Sequence, residues 1–120
     1  MQQTNGFRER QGLGRLATDR SLTRTAELYA CELARTGRFS HTGANGSTIS
    51  SRVGQQRYRF SFVAENLAWG QRSSREAMTG WINSPGHRRN LVAGAATEIG
   101  VGVTPTARGP MWVMVLGRPR

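Results

Sequence analysis

Apolar residues recur at three- and four-residue intervals from Leu22 through Ala26, Tyr29 and Ala30 to Leu33, a spacing that predicts an amphipathic helix over residues 21–36. Asp19 or Ser21 stands ready to cap its start, and Gly37 to end it. A shorter helix is expected over residues 4–10, lending Phe7 and the following Leu13 to the core. Residues 48–56 predict another, with Ile49 and Val53 facing inward. Ser73-Ser74-Arg75-Glu76 reads as a capping box opening a helix through Ala77, Met78, Trp81 and Ile82, which Pro85 stops.

Elsewhere the period shortens to two. Tyr58, Phe60 and Phe62 alternate with Arg57, Arg59 and Ser61, an extended stretch leading into Glu65. Ile99, Val101 and Val103 alternate with Gly100 and Gly102, while Met111 to Leu116 is apolar on both sides. These become two antiparallel strands joined by residues 105–110, the last of them central because both its faces must be covered. The sum is an α+β domain: a small antiparallel sheet with helices on both faces. Gly100 and Gly102 strip one sheet face of side chains, so a loop or helix can approach the backbone there, and the segment carrying His87 is the expected one. The 38–47 loop is expected to be anchored by Phe39.

Composition adds limits rather than changing this picture. A chain of 120 residues reads as one domain, residues 1–120, and its four Phe, three Trp and two Tyr offset an apolar fraction of 37%. No stretch approaches the roughly 20 apolar residues that span a bilayer, and residues 1–5 lack the apolar core of a signal peptide. The chain therefore either stays inside the cell or is a mature segment whose export signal has been removed. Cys31 has no cysteine to pair with and falls in the helical pattern, where a small buried hydrophobe is expected. The net charge of +10 is carried by arginine alone. Such a surface attracts polyanions such as nucleic acid, anionic wall polymer or acidic lipid, but arginines scattered along the whole chain describe a solvated face more simply than a nucleic-acid site.

Chemistry concentrates at the two histidines, His41 and His87, each in a polar segment with glycine. Glu65 lies between them inside an apolar run, so a fold that closes on itself can gather imidazole, carboxylate and imidazole around one cleft. Such a trio can bind a divalent cation, with Glu65 as the alternative base, or it can simply pin loops together. Ser40 and Ser84 lie near the histidines, but no nucleophile elbow surrounds either. Asn66 and Asn90 read as loop clasps, and Arg52 and Arg88 as arginines tying loops by hydrogen bonds.

Four motifs in order, Phe39-Ser40-His41, Ala64-Glu65-Asn66-Leu67-Ala68-Trp69-Gly70, Trp81-Ile82-Asn83-Ser84-Pro85-Gly86-His87-Arg88-Arg89-Asn90 and Thr97-Glu98-Ile99-Gly100-Val101-Gly102, resemble the bacterial branch of the CAP superfamily. That superfamily is named for cysteine-rich secretory proteins, antigen 5 and pathogenesis-related 1 proteins, and its domain is also called SCP. The resemblance implies a three-layer α-β-α sandwich, export to the extracellular space or cell envelope, and a cleft where two histidines and two glutamates bind zinc in some members. His41, Glu65 and His87 match three of those positions, with Ser40, Asn66, Ser84, Arg88 and Asn90 around them. The fourth is missing, since Ile82-Asn83-Ser84 occupies its stretch, and Glu98 is the nearest later carboxylate.

Three functions remain open on this basis. The first is an exported protein whose cleft holds a small ligand, lipid or cell-wall component, with or without a divalent metal such as Zn2+. The second is a zinc-dependent hydrolase of peptide or nucleic acid using His41, His87 and Glu65, and the third is a polyanion-binding protein.

Overall fold

A computed structural model describes residues 2–120. Its elements run α1 (Gln2–Arg10), β1 (Ala17–Thr18), α2 (Arg20–Thr36), α3 (Ile49–Gln55), β2 (Phe60–Trp69), α4 (Ser74–Ile82), α5 (Pro85–Leu91), β3 (Glu98–Thr104) and β4 (Met111–Pro119). The sheet order is β1-β3-β4-β2. β4 is therefore internal, antiparallel to both neighbours, as its apolar faces require.

The sheet separates two cores. On one face, Leu22, Ala26, Tyr29, Ala30 and Leu33 of α2 and Val53 of α3 meet Leu67, Met111, Val113 and Val115. On the other, Phe7 of α1, Met78 and Trp81 of α4 and Leu91 of α5 meet Ile99, Met114 and Leu116. The helical ends follow the sequence, except that the expected capping box at α4 is only half formed, since Glu76 accepts from the Arg72 amide at 3.2 Å rather than from that of Ser73. Asp19 accepts from the Leu22 amide, Gly37 closes α2 in the left-handed conformation, and Ser73 accepts from the Glu76 amide.

Several expectations need correction. Pro85 ends nothing: α4 has closed at Ile82, and the proline occupies the first turn of α5, where its missing amide costs no hydrogen bond. His87 thus sits in the first turn of this helix. The element over Gly100 and Gly102 is α2, not the His87 segment. A Cβ at Gly100 would stand 2.2 Å from the Thr23 nitrogen, and one at Gly102 2.5 Å from the Glu27 nitrogen. Cys31 is exposed, because it falls on the outer face of α2 between the inward Ala30 and Leu33. Phe39 is 51% exposed rather than buried, tilted against Trp69 with ring centroids 6.1 Å apart.

Nor is α1 the minor contributor that its one large apolar residue, Phe7, suggests, and Leu16 rather than the expected Leu13 joins it in the core. Arg8 is buried and donates to the carbonyl oxygens of Gly14, Leu91, Ala93 and Ala96, at 2.8, 3.0, 2.9 and 3.4 Å. One guanidinium therefore ties α1 to the turn between α5 and β3, and its burial lowers its pKa below the ordinary value.

Candidate functional site

β2 is an edge strand, and the cleft forms across its outer edge. Side chains from α4 and α5 seal the exposed backbone. Trp81 Nε1 donates to the Leu67 carbonyl at 2.9 Å, and Asn90 Nδ2 donates to the Glu65 carbonyl at 3.2 Å and to Asn66 Oδ1 at 2.8 Å. Asn66 Nδ2 in turn donates to the His87 carbonyl at 3.1 Å. Asn66 and Asn90 thus fasten α5 to the strand, as loop-clasp residues should.

Alternation along β2 points Glu65 toward the α2 and α3 side and Asn66 toward α5. The Glu65 side chain is only 1% exposed, and two groups hold it. Arg52 Nη2 donates to both carboxylate oxygens, at 3.0 and 2.9 Å, and His41 Nδ1 lies 2.8 Å from Oε1. Arg52 also donates to the carbonyls of Ser47 and His41 and to Ser47 Oγ, and lies over the Tyr29 ring at 3.5 Å. The Tyr29 hydroxyl donates to the Ser40 carbonyl, and Ser40 Oγ accepts from the Thr42 amide at 3.1 Å. The 38–47 loop is therefore held by Arg52 and Tyr29 rather than by a Phe39 anchor. Burial raises the Tyr29 pKa, with Arg52 opposing and Glu65 reinforcing the shift.

His87 approaches from the other face. Its Nδ1 lies 2.9 Å from Ser84 Oγ, which for this reason leaves the α5 amides uncapped. Burial lowers the His87 pKa below 6.5, and the nearby His41 lowers it further. Phe39, Leu67, Trp69, Trp81, Ser84 and His87 border a groove of about 390 Å³.

Arg88 and Glu98 stand apart from this arrangement. Arg88 lies over the Phe7 ring at 5.1 Å, and Glu98 on β3 accepts from the Tyr58 hydroxyl at 2.7 Å. Arg52 is the residue that sequence reasoning undervalued. Three places after the inward Ile49, it falls on the buried face of its helix, and a buried guanidinium demands an acceptor.

These donors do not fit a zinc site with three protein ligands. Glu65 gives both oxygens to Arg52, whose charge opposes a cation beside it, and no three His, Cys, Asp or Glu side chains among the described residues converge on one point. What the arrangement offers is two ring nitrogens, Nε2 of His41 and Nε2 of His87, with no hydrogen-bond partner among the described residues.

Comparison with known proteins agrees with this architecture. A Bacillus anthracis extracellular protein with an SCP domain superposes with a TM-score of 0.91 at 30% identity, over 98% of this chain and 40% of that one. An outer surface protein from Borrelia burgdorferi gives 0.91 at 25% identity, over 99% and 89%. The Bacillus subtilis protein YkwD is 29% identical over 91% of this chain, which spans 42% of its length. The four motifs, the sheet with helices on both faces and a match to the family profile across residues 1–116 together make this chain a member of the CAP family, the cysteine-rich secretory protein family.

Proposed function

We propose that the chain is an exported CAP domain that binds a small ligand, a lipid or cell-wall component with both apolar and polar parts, in the groove at the edge of β2. The groove carries this reading. Its 390 Å³ falls within the range of about 300–1,000 Å³ common to small-molecule sites, and its lining combines Phe39, Trp69 and Trp81 with the polar Gln71, Ser84 and His87. The exposed Phe39 ring stands over it, supported only by Trp69, and so offers an unpaired face. Export and residence outside the cell or in its envelope are supported by relatives described as extracellular or as outer surface proteins. No described helix is long and apolar enough to cross a membrane.

Hydrolysis receives less support. Glu65, the expected base, is enclosed by Arg52 and His41, and its side chain is all but closed to solvent.

Titrating the labelled protein with octanol, octanoate and tri-N-acetylchitotriose while following amide shifts tests the reading. At least one probe should move Phe39, Trp69, Trp81 and His87 together, and Phe39→Ser should weaken it about tenfold or more, as loss of a buried aromatic contact does. Shifts confined to arginine-bearing surface would favour polyanion binding instead. Stoichiometric zinc retention lost in His41→Ala and His87→Ala would restore the metal-hydrolase reading.

A further inference from the structure

Two pairs of arginines far apart in the sequence meet at one end of the sheet. Pairing of β2 with β4 sets Phe60 opposite Pro119 and Phe62 opposite Arg118, and one step further the Arg120 amide donates to the Arg59 carbonyl at 3.1 Å. Arg59 and Arg120 therefore oppose each other across the two strands, a like-charge pairing that costs stability wherever nothing neutralises it. Arg118 lies two residues from Arg120 and so on the same face, one strand repeat of about 6–7 Å away. Arg57 joins them from the turn before β2, where it holds a left-handed conformation at φ 61° that glycine or asparagine more often takes.

All four arginines are exposed, and none forms a salt bridge among the described residues, where the ion pairs join Arg15 to Glu9 and Arg52 and His41 to Glu65. The carboxylates whose charges reach the neighbouring Tyr58, Glu98 and Asp19, are engaged by the Tyr58 hydroxyl and the Leu22 amide. Arg59 and Arg120, with Tyr58 and Phe60, line an open hollow of about 560 Å³.

The surroundings of these charges narrow the class of anion. Tyr58 is buried and Phe60 packs into the core beneath α2, so neither ring offers a free face on which a nucleic-acid base could stack. The large apolar residues that do face solvent, Leu28, Phe39 and Val103, lie on other segments, which leaves none here to enter a bilayer.

We propose that this end of the sheet binds a phosphodiester chain without bases, a polyol phosphate, with one phosphate held between Arg59 and Arg120 and the next at Arg118. Guanidinium groups meet phosphate oxygens in bidentate pairs, and a flexible glycerol linker lets successive phosphates follow the repeat of the strand. The site lies about 20 Å along β2 from the groove at Leu67 and Trp69, so each can be occupied without the other.

Fluorescence anisotropy of a labelled poly(glycerol phosphate) chain, titrated with the folded protein across a range of salt concentrations, tests this. Arg59→Gln combined with Arg120→Gln should weaken binding about tenfold or more and reduce the salt slope by about two, one for each lost phosphate contact. Arg72→Gln combined with Arg108→Gln removes the same charge from exposed positions at the opposite end of β2 and β4, and should leave affinity within about twofold because of screening over that distance. Circular dichroism checks that both double variants fold. Equal losses in the two double variants would assign the affinity to net charge and overturn the site. The proposal also fails if an oligothymidylate with the same number of phosphates binds more tightly, if poly-L-glutamate binds equally well, if binding is confined to phosphatidylglycerol vesicles, or if no probe binds.

Discussion

Arg52 and Glu65 form a buried pair whose partners depend on each other unequally. Removing the guanidinium in Arg52→Met leaves a carboxylate enclosed with only His41, and breaking such a pair costs about 3–5 kcal/mol. Urea unfolding should register that loss. The double variant Arg52→Met with Glu65→Leu should recover much of it, because no charge is then left unmatched. His87 supplies a pH test. Burial, and then His41, hold its folded pKa below 6.5, so above that value both folded and unfolded forms are neutral and stability is full. As pH falls through 6.5, the unfolded chain binds a proton that the folded form still resists, and stability declines until the folded pKa is reached. Thermal midpoints measured downward from pH 7 should show this slope in the wild type and a shallower one in His87→Gln.

At the scale of elements, the contact between α2 and β3 is the most exacting in the molecule. Leu22 and Thr23 pass so close to Gly100, and Ala26 and Glu27 to Gly102, that a methyl group at either glycine meets backbone rather than a flexible side chain. Gly102→Ala should therefore destabilise by about 1–3 kcal/mol or more, the cost of overpacking, and lower the thermal midpoint accordingly. Gly94 makes a useful control, since a Cβ there meets nothing within 4 Å. The spacing of Gly100 and Gly102 announces such an approach in the sequence, but the approaching element comes from nearly 80 residues earlier, and spacing carries no information about it. The same limit governs α5. Proline stops a helix or begins one according to where the backbone already is, and only the closure of α4 at Ile82 decided for a start.

For the whole molecule, two cores share one sheet, and β4 contributes Met111, Val113 and Val115 to one and Met114 and Leu116 to the other. A strand common to both cores couples them, so the domain should unfold in a single transition. Leu33→Ala and Leu91→Ala, on opposite faces, should each cost about 2–5 kcal/mol and shift the same midpoint by fluorescence and circular dichroism alike. Two separated transitions would show that the faces melt independently. The charge of +10 is also a property of the whole surface: any affinity for polyphosphate or nucleic acid should fall steeply with salt.

The α2 stripe, the caps at Asp19, Gly37 and Ser73, the internal placement of β4 and the family motifs around His41, Glu65 and His87 are all legible along the chain. Each depends on periodicity or on contacts a few residues apart, and such contacts are written locally in the chain. Packing in three dimensions is what pairs Arg52 with Glu65, brings four carbonyl oxygens to Arg8, and leaves Phe39 and Cys31 facing solvent. Those outcomes turn on groups brought together from distant positions, where burial makes a charge find a partner and the geometry of packing chooses which one.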